Sequence, residues 1–172
     1  MKHALLAIAV SAGVAGCASM GMGAKPAAVA DLQPTTGNTA RGQVTFTQDG
    51  ENVRVSATLS GLKPGAEHGF HVHEKGDCSS GDGMSTGGHF NPDAKPHGPQ
   101  NAPHHAGDMP AVVADAYGNA TSAFTLKGVS IGGGAADLVG RGLIVHRDPD
   151  DYRTQPTGNA GPRIACAVIR KS

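Results

Sequence analysis

The sequence predicts an all-β fold, an antiparallel sandwich or barrel formed by one domain. Three observations lead there. Apolar and polar residues alternate over short runs, which is the period of a half-buried strand. Turn formers, 26 glycines foremost, separate those runs at short intervals. No stretch of the mature chain carries a helical pattern of useful length. With 172 residues, one domain with a modest core is the natural organisation. Aromatics make up 3% and Trp is absent, so that core must come from Val, Ile, Leu and Ala.

The elements follow in order. Ala27–Leu32 is a short strand candidate. Gln43–Thr47 and Asn52–Leu59 both alternate, with Val44 and Phe46 on one face of the first and Val53, Val55, Ala57 and Leu59 on one face of the second. Gln48-Asp49-Gly50-Glu51 between them reads as a hairpin turn, and Gly61-Leu62-Lys63-Pro64-Gly65 as a second turn. His68–His73 is the next strand, and a long loop follows it. Ala111–Ala116 and Ala120–Leu126 read as a hairpin bending at Tyr117-Gly118-Asn119. Val129–Ile131 is ambiguous and is broken by Gly132–Gly134. Leu143–His146 is a short apolar strand, Asp148 to Pro162 a second long loop, and Ile164–Ile169 the last strand.

Residues 1–16 stand outside this pattern. A short basic start, an apolar run from Ala4 to Ala15 and small residues after it have the layout of a secretory signal, too short to span a bilayer as a helix. Val14-Ala15-Gly16-Cys17 resembles the bacterial lipobox, in which the cysteine is lipidated, so Cys17 is expected to anchor the chain to a membrane. Residues 17–26 then form a flexible tether, and 27–172 the folded domain. Three cysteines are an odd number for an exported chain. With Cys17 lipidated, Cys78 and Cys166 remain, and an oxidising compartment favours a disulfide between them over two free thiols.

Charge excludes one class of partner. The 14 basic and 14 acidic side chains balance, which argues against a nucleic-acid surface.

Chemistry concentrates between His71 and Asp108. Seven of the nine histidines lie between His68 and His105, in a stretch too polar to bury much surface. So long a structureless loop needs a task, and imidazoles with a carboxylate suggest metal binding. His71 and His73 alternate within a strand and therefore face one side. His89 and His97 flank Pro92 and Pro96, which bend the loop so that both can converge. His105 and Asp108, three residues apart, can close on one ion from a single turn; His104 is the rival for that place. Three imidazoles and a carboxylate suit Zn²⁺. His146 brings a further imidazole to the His71/His73 face, and all-imidazole ligation favours Cu(II). The residues thus offer one redox-capable site and one structural site.

These pieces resemble the copper/zinc superoxide dismutases, of the bacterial exported kind. The resemblance rests on GFHVHEKGDC (Gly69–Cys78), GGHFNP (Gly87–Pro92), HHAGDMP (His104–Pro110) and GNAGPRIACAVI (Gly158–Ile169). It implies an eight-stranded Greek-key antiparallel β-barrel related to immunoglobulin-like sandwiches. It implies His71, His73, His89 and His146 as copper ligands, and His89, His97, His105 and Asp108 as zinc ligands, with His89 bridging. Arg163 matches the arginine beside the copper, Asp150 the carboxylate that links ligands of the two metals, and Cys78–Cys166 the family's disulfide. The implied activity is disproportionation of superoxide to dioxygen and hydrogen peroxide, with Arg163 attracting the anion and His89 passing a proton, in defence of the cell envelope or periplasm. One departure stands out: the loop after His146 is compact and lacks the Glu/Lys-rich stretch of eukaryotic members, so substrate steering must use other charges, with Arg163, Arg147 and Arg153 as candidates. Monomer and homodimer both stay open. The competing classes are a non-catalytic metal buffer and a surface lipoprotein acting as an interaction platform; a missing copper ligand or arginine would favour the former, and neither is missing.

Overall fold

A computed structural model describes Lys25 and residues 27–172. The expected leader, the lipidation at Cys17 and the tether other than Lys25 lie outside the described residues.

The described residues form ten strands: β1 Ala27–Pro34, β2 Arg41–Asp49, β3 Asn52–Ser60, β4 Glu67–His68, β5 Phe70–His73, β6 Val112–Val113, β7 Ala120–Lys127, β8 Gly142–His146, β9 Arg163–Val168 and β10 Arg170–Lys171. One 3-10 turn, Met84–Thr86, interrupts the first long loop. Eight strands form one antiparallel sheet in the order β5-β8-β9-β1-β2-β3-β7, with β10 also pairing β1; β4 and β6 form a separate pair. Strands from both ends of that order share one hydrophobic cluster, including Phe46, Val55, Phe70, Val72, Leu143 and Val145. The sheet therefore curls around its own core, in keeping with the all-β barrel expectation.

The β2–β3 hairpin forms where expected, with Asp49 opposite Asn52 and Gly50 taking the positive φ of 62° that the tight bend requires. Two expectations need correction. The strand read as His68–His73 breaks at Gly69: His68 pairs with Val112 in the small sheet, whereas Phe70–His73 pairs with β8. A Cβ on Gly69 would crowd Ala160 Cβ at 2.7 Å, so only glycine lets the chain cross there. Second, Ala111–Ala116 shrinks to Val112–Val113, and it pairs with β4 while β7 pairs with β3. The bend itself is real: the Asp115 carboxylate accepts the N–H groups of Tyr117 and Asn119. The ambiguous Val129–Ile131 resolves as no strand; Val129 and Ile131 are buried core residues beside an isolated Ser130–Asp137 bridge.

The pleat decides where the site goes. Phe70 and Val72 enter the core, so His71 and His73 point to the opposite face of β5. Register places Val145 beside Phe70 and Ile144 beside His71, so His146 emerges on that same face. A register shift between Val145 and His146 then sets Arg163 across from His146. All residues of β5 and β8 are buried, because the core covers one face and the long loops cover the other.

Cys78 and Cys166 form a disulfide with Cα atoms 6.0 Å apart, joining the first long loop to β9 across 88 residues of chain. Replacing Cys166 with Ser is expected to lower stability by about 2–4 kcal/mol, the usual effect of opening so long a covalent loop. A denaturation midpoint unchanged from that of the oxidised protein would contradict this.

Candidate metal centre

The first loop reaches the site by running along the free edge of β5. Val72 N–H donates to Gly107 O and Phe90 N–H to Val72 O, while Glu74 N–H donates to Gly88 O. A Cβ on Gly107 would overlap Val72 O, so glycine permits the approach. His89 thereby lies opposite His73, and Asp108 opposite His71.

Two clusters result. His71, His73, His89 and His146 present ligand atoms within 4.8 Å of one another, and so do His89, His97, His105 and Asp108. Every member is buried, and His89 belongs to both. His105 joins the cluster; His104 turns away and meets Ala102 O at 2.7 Å.

Hydrogen bonds fix which nitrogen of each ring is a free lone pair. His73 Nδ1 donates to Gly87 O at 2.9 Å and His146 Nδ1 to Gly161 O at 3.0 Å. Their Nε2 atoms, both left as acceptors, face each other at 3.4 Å. His71 Nε2 donates to Asp150 Oδ2 at 2.6 Å, and its buried Nδ1 has no partner. His89 Nδ1 donates to Asp108 Oδ1 at 2.8 Å, and its Nε2 is likewise orphaned. His97 Nε2 donates to Asp150 Oδ1 at 2.8 Å, leaving Nδ1 3.0 Å from Asp108 Oδ1 but without a hydrogen bond. Converging acceptors, buried and unpaired, repel unless positive charge lies among them; without metal, the proton that Asp108 and Asp150 favour on His97 supplies it in one cluster only. A transition metal in each cluster would supply that charge, so the residues fit the two metals.

Asp150 thus holds one ring from each cluster. Gly158, at φ 64°, makes room for it, since a Cβ there would overlap both Asp150 Oδ1 and His97 Nε2. Two main-chain carbonyls and a hydroxyl pin Arg163: Nη1 donates to Gly83 O at 2.8 Å and to Thr86 Oγ1 at 2.7 Å, and Nη2 to Gly87 O at 2.7 Å. Gly87 O therefore serves both the arginine and His73. Two of the five guanidinium N–H donors stay uncommitted. Arg147 pairs with its neighbour Asp148 at 3.0 Å, which offsets its charge. The residues missed by sequence reasoning are those that position others. Thr86 gave no signal, and Gly158 lay unassigned within a recognised run.

Electrostatics follow from burial and from the carboxylates. Desolvation pushes His71 down to about 4 against the pull of Asp150. It pushes His146 down to about 3, with the neighbouring His71 adding to the effect. Burial also opposes protonation of His97, but Asp108 and Asp150 carry it up to about 9. Burial works to raise Asp108, yet the imidazoles of His89 and His97 hold it well below the usual carboxylate range.

These shifts have opposite signs. Below about pH 6.5 an unfolded chain binds protons that buried His71 and His146 refuse, so their contribution is full above that pH and is lost as pH falls toward 4 and 3. For His71 alone the loss is about 3 kcal/mol. The His97–carboxylate group contributes below about 6.5 and loses that contribution as pH rises through about 9. The metal-free protein is thus expected to be most stable near pH 6.5, with melting temperature falling on both sides; calorimetry in chelator checks this, and a flat profile from pH 4.5 to 9 would refute it.

Comparison with known proteins agrees with this geometry. Residues 40–169 match the family described as copper/zinc superoxide dismutase (SODC). Over 138 residues the chain is 46% identical to Cu-Zn superoxide dismutase 2 of Brassica juncea, covering 75% of this chain and 88% of that one. Among solved structures it is similar to the clock protein EA4, with a TM-score of 0.78, 40% identity, and coverage of 87% of this chain and 97% of that one. It is also similar to a double mutant of a SOD-like protein from Bacillus subtilis, with a TM-score of 0.75, 36% identity, and coverage of 83% and 96%.

Proposed function

The chain belongs to the copper/zinc superoxide dismutase family and is a superoxide dismutase, and from that premise we propose how its residues divide the work. His71, His73, His89 and His146 hold copper; His89, His97, His105 and Asp108 hold zinc. The observation that carries this division is the sharing of His89, whose Nδ1 is taken on the Asp108 side and whose Nε2 is free on the other.

Two superoxide anions and two protons become one dioxygen and one hydrogen peroxide. Copper bound there supplies the one-electron chemistry, alternating between Cu(II) and Cu(I), while zinc supplies fixed charge. Arg163, held by three hydrogen bonds, offers its remaining N–H donors to the anion without having to reorganise. With the metals bound, His89 would pass a proton from Nε2 to the reduced oxygen while its ring is held from the Nδ1 side, where Asp108 lies. Asp150 fixes the tautomers of His71 and His97, so that the unprotonated nitrogen of each faces its cluster. The deciding experiment is metal analysis with superoxide-decay kinetics on the purified mature protein. One copper and one zinc per chain with accelerated decay is expected; a metal-loaded protein that leaves decay unchanged overturns the reading.

We further propose a bacterial, exported protein that protects the periplasm or cell envelope, anchored through lipid on Cys17. The basic start, the apolar run to Ala15 and the Val14–Cys17 motif support this. Labelling with a radioactive fatty acid should mark the chain and should not mark its Cys17→Ser variant. Sedimentation equilibrium separates monomer from homodimer.

A further inference from the structure

Both main-chain groups of His97 are taken by one side chain. Gln155 Oε1 accepts the His97 N–H at 2.8 Å, and Gln155 Nε2 donates to His97 O at 2.9 Å. The amide pairs with the histidine much as a neighbouring strand would. A primary amide suits this, because it carries donor and acceptor side by side in one plane, whereas a carboxylate only accepts. Gln155 lies in the second long loop, which also carries Asp150, the acceptor for the His97 ring. His97 is therefore gripped by one loop at ring and backbone together. Further along, the same loop supplies Gly161 O, which takes the Nδ1 proton of His146, and then enters β9 at Arg163.

We propose that Gln155 is a positioning residue for His97 and that its amide latches the second loop, so that a metal ion in the His97 cluster orders the segment that orients His146. This rests on the reading that His89, His97, His105 and Asp108 hold zinc. The hydrogen bonds act on the backbone rather than on the ligand nitrogen. Their effect is therefore felt as the time the ring spends in place, and hence as the rate at which the metal leaves.

The test compares wild type, Gln155→Met and Gln155→Glu, each loaded with copper and zinc. Met keeps much of the volume and makes neither hydrogen bond; Glu keeps the acceptor for His97 N–H and loses the donor to His97 O. Zinc release to a chromophoric chelator is expected to quicken about tenfold in the Met variant, the low end of what outer hydrogen-bond partners of a metal ligand contribute, and about threefold in the Glu variant, which keeps one of the two bonds. Amide hydrogen exchange across residues 148–162, with zinc bound, should rise in the same order. Equal release rates in all three proteins overturn the positioning role. Faster release with unchanged exchange across 148–162 overturns the latch. Should the Met variant not fold, the Glu variant decides alone, by the same two readouts. Failure of the underlying zinc reading looks different, since wild type itself would then take up no zinc.

Discussion

Replacing His146 with Ala is expected to abolish superoxide dismutation while leaving zinc in place. His146 ends β8 with its Nδ1 committed to Gly161 O and its Nε2 aimed at His73 Nε2. It touches one cluster only, and the second is assembled from the first long loop and Asp108. Losing one of four imidazoles should reduce activity by more than about 100-fold, beyond the effect of losing an outer hydrogen-bond partner. Zinc content near one per chain, with copper content or the Cu(II) spectrum altered, is the expected pair of readings. Zinc lost with copper retained would mean that the assignments of the two clusters are reversed.

Arg163→Ile is expected to slow turnover by about 10–100-fold without changing metal content, because hydrogen bonds to a charged partner contribute about 1.5–3 kcal/mol. The arginine ligates neither metal; its committed bonds go to Gly83 O, Thr86 Oγ1 and Gly87 O. Half-burial pulls its guanidinium below its usual pKa range, and nearby Asp82 partly offsets that. Arg147 is tied to Asp148, whereas Arg163 keeps free N–H donors, so the variant should also blunt the salt dependence of kcat/KM. A rate and salt slope equal to wild type would remove Arg163 from the reaction.

The chemistry was more legible than the chain path. Histidines at i and i+2 in a strand must share a face, and the bends at Pro92 and Pro96 left the loop histidines free to converge; both inferences depend only on local geometry. The break at Gly69 was hidden because His68–His73 keeps an unbroken alternation, while the crossing is forced by Ala160, a residue far along the chain. The Tyr117–Asn119 bend was readable from its turn residues, but the partner of Val112–Val113 was not. A bend sets chain direction, and tertiary packing chose β4 over β7. Asp150 was reached through family likeness alone, because a lone aspartate in a polar loop carries no signal of its own. Gln155 carried still less: its role exists only because two loops distant in sequence meet.

The loop that clothes the edge of β5 also protects the molecule from its own kind. An uncovered four-residue strand, Phe70–His73, would present unpaired amides beside an apolar face and invite a second chain to add its edge. On the proposed ligand assignment, metal holding His89 and Asp108 would strengthen that cover from within, so solubility would depend on the same ions as catalysis. Light scattering at equal concentration should show the chelator-treated protein self-associating well before the copper- and zinc-loaded form; equal behaviour of the two would separate the roles.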